Sequence, residues 1–186
     1  MSKINKFVRK FTSILFIAML PMVVGCSAEN DSEDKNSRTL EMVLNETFTV
    51  PNKELRDILE DPNNYTIIGA EEKTSLSNNL DAYIEKKYKA YFTEEMYDKY
   101  TGTYALSYVA PSPENSEMKI RDVYVEQKEK LQNIYDFTAI IDYKKGDGSE
   151  VEKYEVKGQA NFSENGKIAA FMIRQDSNLS LDIRSN

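Results

Sequence analysis

Few residues in this chain are equipped for chemistry. Histidine is absent and the single cysteine is Cys26. Nucleophile–base pairs built on imidazole or a free thiol, and most transition-metal sites, therefore lack their usual groups. Carboxylates are abundant, with 31 acidic side chains along the sequence, and that abundance makes any one pair uninformative. Asp122 and Tyr124 come nearest to a catalytic couple: a carboxylate and a hydroxyl on the same face of one candidate strand. A rim aspartate beside a partly buried tyrosine explains the same two residues more simply, so no catalytic residue and no metal ligand is assigned, and the expectation is a protein that is not an enzyme. Tyrosine is the informative excess, at 12 residues in a chain without tryptophan. Tyr83, Tyr88 and Tyr91 lie along one helical stripe, and Tyr135, Tyr143 and Tyr154 on the buried face of candidate strands. Where helix and sheet meet, these rings either line a concave cavity for a small apolar ligand or supply core bulk with hydroxyls at the rim.

The thiol has a context of its own. Lys3, Lys6, Arg9 and Lys10 open the chain, an apolar run follows from Phe11 to Val24, and Gly25 stands before Cys26. A charged start, an apolar middle and a small residue at the cut make a secretory signal. A membrane span fits less well. It needs about 20 mostly apolar residues, whereas Phe7 to Val24 contains Arg9, Lys10, Thr12, Ser13 and Pro21. Val23-Val24-Gly25-Cys26 resembles the bacterial lipobox, where a peptidase cuts before a cysteine carrying a diacylglyceryl group. The resemblance implies a signal peptide over residues 1–25 and a mature chain that begins at Cys26. Diacylglyceryl and acyl (palmitate) lipid on that cysteine would hold it on the extracytoplasmic face of the cell membrane. Two or more chains anchor stably where one does not.

Residues 1–25 carry four basic and no acidic side chains, so the chain from Cys26 has 20 basic against 31 acidic groups, a formal net of −11. Nucleic acid and anionic lipid surfaces repel such a chain, which leaves lipid rather than charge to hold it at a membrane. With Cys26 acylated, no disulfide within the monomer and no cofactor other than the lipid is expected. Lysine outnumbers arginine and asparagine is frequent, a bias that together with the lipobox suggests a Gram-positive host.

The elements follow in order. Residues 26–41 read as the lipidated cysteine and a flexible tether, because 27–38 contain nothing large and apolar to offset ordering entropy. One domain then occupies residues 42–186. A short helix over Lys53–Leu59 stops at Asp61-Pro62, and Tyr65–Ile68 is a short extended piece. Ser77 is a candidate N-cap for a helix reaching Phe92, striped by Leu80, Tyr83, Ile84, Tyr88 and Tyr91. Thr93-Glu94-Glu95 caps another turn or two, ending before Gly102. Alternation at Tyr104, Leu106 and Tyr108 suggests an extended segment. Strands are expected over Ile120–Glu126, Tyr135–Tyr143, Lys153–Phe162 and Ile168–Ile173. Loops at Lys145–Ser149 and Asn165-Gly166 make the hairpins. Gly158 marks a bulge or bend. Ile168–Ile173, apolar on both faces, reads as a central strand, and Leu179, Leu181 and Ile183 alternate like an added edge strand.

Helices followed by antiparallel strands with one wet face give an α+β class, with N-terminal helices packed on one face of a curved sheet. That order, with stretches such as Phe48-Thr49-Val50-Pro51-Asn52, Asp61-Pro62-Asn63-Asn64-Tyr65-Thr66 and Tyr135-Asp136-Phe137-Thr138, resembles the NTF2-like (cystatin-like) fold. More narrowly, it resembles the small lipoproteins of Gram-positive bacteria that carry this fold. The resemblance implies a non-catalytic accessory module of the cell envelope that binds an envelope protein or a second copy of itself. The alternative is a small-molecule binder using the tyrosine-lined cone.

Overall fold

The computed structural model describes residues 34–61, 75–109 and 115–185. Residues 1–33, with Val23-Val24-Gly25-Cys26, and the Tyr65–Ile68 segment lie outside the described residues.

The first helix corrects the tether. Helix α1 spans Lys35–Thr47, so residues 35–41 are folded. Asp34 caps it, accepting the Asn36 N–H at 3.2 Å. Thr39, Leu40, Val43, Leu44 and Thr47 are buried on one face, a helical repeat that begins inside the segment read as linker. The polar run 27–38 hid it, because every residue from 27 to 39 is small, polar or charged. After Phe48 the chain turns, and Val50 exchanges two 2.9 Å backbone hydrogen bonds with Met118. Helix α2, Lys53–Glu60, is capped by Asn52, whose side chain accepts the Leu55 N–H at 3.0 Å, and it ends at Asp61 as expected. Helix α3, Ser75–Tyr88, starts ahead of Ser77 and stops short of Phe92. Its end is set by the sheet: Thr93 N donates to Ile168 O at 3.0 Å and Ile168 N to Tyr91 O at 2.8 Å, which draws the backbone out straight. Thr93 caps α4, Glu94–Thr103, as its sequence suggests, but the helix runs through Gly102 instead of ending before it. Residues 104–109 are not extended. Ser107 N bonds Tyr104 O and Val109 N bonds Leu106 O, so the alternating apolar residues belong to consecutive turns.

Four antiparallel strands follow in the order β1-β2-β3-β4: β1 Glu117–Lys128, β2 Leu131–Lys144, β3 Glu152–Phe162 and β4 Ile168–Gln175. Tyr135, Phe137, Ala139, Ile141 and Tyr143 of β2 and Tyr154, Val156, Gly158, Ala160 and Phe162 of β3 are all buried on the inner face. The two-residue period of the strands expected over Tyr135–Tyr143 and Lys153–Phe162 accounts for all ten. Gly158 fits for want of room: a Cβ there would lie 2.3 Å from Phe137 Cζ and 2.4 Å from the Met172 carbonyl oxygen. The register against β4 shifts at this point, the irregularity its glycine foretells.

Two expectations fail at the C-terminal end. Strand β4 is an edge, not the centre: Ala169, Ala170 and Met172 face solvent, and small or flexible apolar residues do not distinguish a buried face from an open one. The tail is α5, Leu179–Arg184, not a strand. Leu179 and Ile183 are fully buried while Leu181 is 63% exposed. Their spacing of four is one helical turn, and left-handed Ser177 and Asn178 swing the chain out of the sheet.

Helix α1 packs against β1 and α4 against β4, so the helices sit on the inner face of an open, curved sheet, as the α+β reading requires. Tyr100 joins the layers: its ring lies 4.3 Å from Phe92, 5.2 Å from Tyr88 and 5.2 Å from Phe171. Among the described residues, no helix is long and apolar enough to cross a membrane.

Candidate functional site

The six tyrosines do not ring one cavity. They occupy three separate parts of the core. Tyr83 and Tyr88 are buried beneath α3; Asn52 donates to the Tyr83 hydroxyl at 2.5 Å, and burial, with the charge of Glu46, pushes Tyr83 up to about 12. Burial likewise raises Tyr88. Tyr91, half-buried, donates to Met42 Sδ at 3.8 Å. Tyr135 fastens the start of α1 to β2, donating to Asp34 and accepting from Asn36 at 3.3 Å. Tyr143 and Tyr154 meet edge to face at 6.2 Å beside α5, where the Tyr154 hydroxyl lies 2.7 Å from Glu152 Oε2 and 2.9 Å from Asp182 Oδ2. The rings fill the space between layers, which is the core role open to them from the start. Tyr88, Tyr135, Tyr143 and Tyr154 are buried as core packing, Tyr91 is half-buried, and Tyr83 also borders an open groove of about 710 Å³ lined by α2 and α3 residues.

Asp122 and Tyr124 sit on the outer face of β1, where Asp122 is exposed and Tyr124 is 63% exposed. No shielding surrounds that carboxylate, and the couple is a surface pair.

The outer face of the sheet leaves polar and apolar groups open together. Its hairpin end is stitched by a polar chain across all four strands. Asp136 accepts from Gln159 at 2.7 Å and pairs with Lys128 at 3.2 Å, and Arg174 donates to Gln159 Oε1 at 2.9 Å. Tyr124, Ile140 and Met172, the last 48% exposed, lie on the same face. Its other end carries the feature that sequence reading missed. Asp142 alternates with the buried Ile141 and Tyr143 and so faces outward, yet it is only 6% exposed. Arg121 covers it, with Nε 3.0 Å from Oδ1 and Nη2 2.7 Å from Oδ2. That fork of charge-assisted bonds holds the Asp142 carboxyl below its ordinary range. The pairing depends on a bulge, because the β1–β2 register slips between Ile120 and Asp122 and leaves Arg121 as the extra residue. Alternation alone cannot foresee a slip of that kind. Beside the pair lies an open groove of about 570 Å³, bounded by Pro51 on one side and Val151 on the other.

No family model matches this chain, and no curated protein matches it. Among solved structures it is distantly similar to TraH from the Gram-positive conjugative plasmid pIP501, determined by NMR in solution. The sequences are 14% identical, the TM-score is 0.43, and the match covers 77% of this chain and 94% of that one.

Proposed function

We propose that this protein is an NTF2-like lipoprotein, anchored through Cys26 on the extracytoplasmic face of a cell membrane, that acts as a non-catalytic accessory module and holds an envelope protein on the outer face of its sheet. The observation that carries the reading is the division of the sheet into two unlike faces. The inner face is packed with the protein's own side chains, which favours a partner on the outer face over a ligand in the cone. No described element covers the outer face, although Tyr124, Ile140 and Met172 lie there. A wet face is ordinary for an antiparallel sheet; large apolar side chains among its charges are what a partner would cover.

The anchor and the fold are closely coupled in this reading. Because Tyr135 pins Asp34, seven residues, 27–33, separate Cys26 from the folded unit. Fully extended they reach roughly 25 Å, so the domain stays near the membrane while its acidic surface keeps it off anionic lipid.

Two measurements test the proposal. Cys26→Ala should move the protein from the detergent phase to the aqueous phase on partitioning, and unchanged partitioning would refute the anchor. A photoreactive phenylalanine at Tyr124 should cross-link a discrete partner in living cells.

A further inference from the structure

We propose that the groove beside Arg121 and Asp142 is the specific contact point for that partner, and that it takes a short acidic peptide segment flanked by apolar residues. This holds only if the protein is the partner-binding module described above.

The groove is locally cationic in a strongly acidic chain. Lys119, Arg121 and Lys144 border it against Glu117 and Asp142. Asp142 is already engaged by Arg121, and the Lys144–Glu117 pair is loose at 3.9 Å. Lys119 stands across the ladder from Asp142 and acts on it electrostatically, but forms no close ion pair among the described residues. Asp142 fixes the guanidinium through Nε and Nη2, while Nη1 makes no hydrogen bond among the described residues and the side chain is nearly half exposed. The bulge aims Arg121 across the outer face, as bulges next to binding sites commonly do. A preoriented arginine with lysines on either side suits a carboxylate.

The apolar walls and the shape narrow the ligand further. Pro51 follows Val50, which pairs with Met118 along the outer edge of β1, and Val151, 57% exposed, lies just ahead of β3. The groove therefore crosses β1 and β2, about three strand spacings or roughly 14 Å. That length accommodates about four residues of extended chain. Acidic side chains at the middle of such a segment would meet Arg121 and Lys119, and apolar side chains at its ends would meet Pro51 and Val151. A compact small molecule would leave one wall untouched.

The test titrates acetyl-Leu-Glu-Glu-Leu-amide into the isotope-labelled chain from residue 26 carrying Cys26→Ala. Saturable amide shifts are expected at Lys119, Arg121, Asp142 and Val151. The glutamine counterpart, acetyl-Leu-Gln-Gln-Leu-amide, should bind about tenfold more weakly or worse. The double variant Lys119→Glu/Lys144→Glu, which leaves the Arg121–Asp142 pair in place, should weaken the glutamate peptide similarly without changing the melting temperature. Shifts elsewhere, equal binding of both peptides, or an unaffected double variant would overturn the site. Hexanoate binding there as tightly as the peptide would overturn the peptide reading in favour of small carboxylates. Loss of the groove with the Tyr124 cross-link intact refutes this site alone. Loss of that cross-link with the peptide still bound refutes the module.

Discussion

Gly158 and Asp142 show how single residues depend on neighbours in other strands. Any side chain at 158 would strike the Phe137 ring and the Met172 backbone, and the backbone cannot rotate aside. Gly158→Ala should therefore cost about 2–3 kcal/mol by overpacking, read as a lower urea midpoint with an unchanged slope. The glycine was visible in the sequence as an irregularity; its clash with Phe137 was not, because register decides which residue stands opposite. Asp142 has a pH signature. Its carboxyl is held below the ordinary value by the hydrogen bonds from Arg121, so the pair stabilises the fold fully above the unfolded carboxylate pKa, near 3.9. That contribution is lost as pH falls through the lower folded value. The stability difference between wild type and Arg121→Gln should be largest near neutrality and shrink below about pH 4, as urea midpoints across that range would register. A difference independent of pH would mean that Arg121 contributes by packing alone.

Among the elements, the tail discriminates most clearly between patterns. Leu179, Leu181 and Ile183 fit a two-residue period as well as a strand does, yet burial selects 179 and 183. Leu179→Ala should cost about 3 kcal/mol and Leu181→Ala less than about 0.5 kcal/mol, whereas a strand would make the three residues equivalent. Three apolar residues are too few to separate the periods. Five in a row were enough on β2, where Tyr135 to Tyr143 were legible without a structure. The same limit explains β4, whose alanines and Met172 suggested two buried faces. It also explains α1, whose first turns are polar on the side that faces water. The helix cap at Thr93 was legible, because a single side chain does the work, whereas Ser77 falls inside a helix that starts at Ser75, and the helix end near Phe92, set by a distant strand, was not legible.

At the scale of the whole molecule, the absence of tryptophan is met by tyrosines buried in several parts of one core. Burial raises Tyr83, Tyr88, Tyr100 and Tyr108, Tyr83 to about 12. The neutral phenols favour the folded state, so stability should be intact below the unfolded tyrosine value near 10 and fall as pH rises beyond it toward the folded values. Ultraviolet titration should show a late group of tyrosines ionising together with loss of near-ultraviolet circular dichroism. Ionisation of all twelve before any unfolding would contradict the packed core. The same filling turns attention from the interior to the outer face, and there the central claim is most directly tested. A photoreactive phenylalanine at Tyr124, activated in living cells, should give one discrete adduct with an envelope protein, and its yield should drop when Cys26→Ala releases the domain from the membrane. No adduct from either Tyr124 or Met172, in a protein that partitions as a lipoprotein, would contradict an accessory module that works through this face.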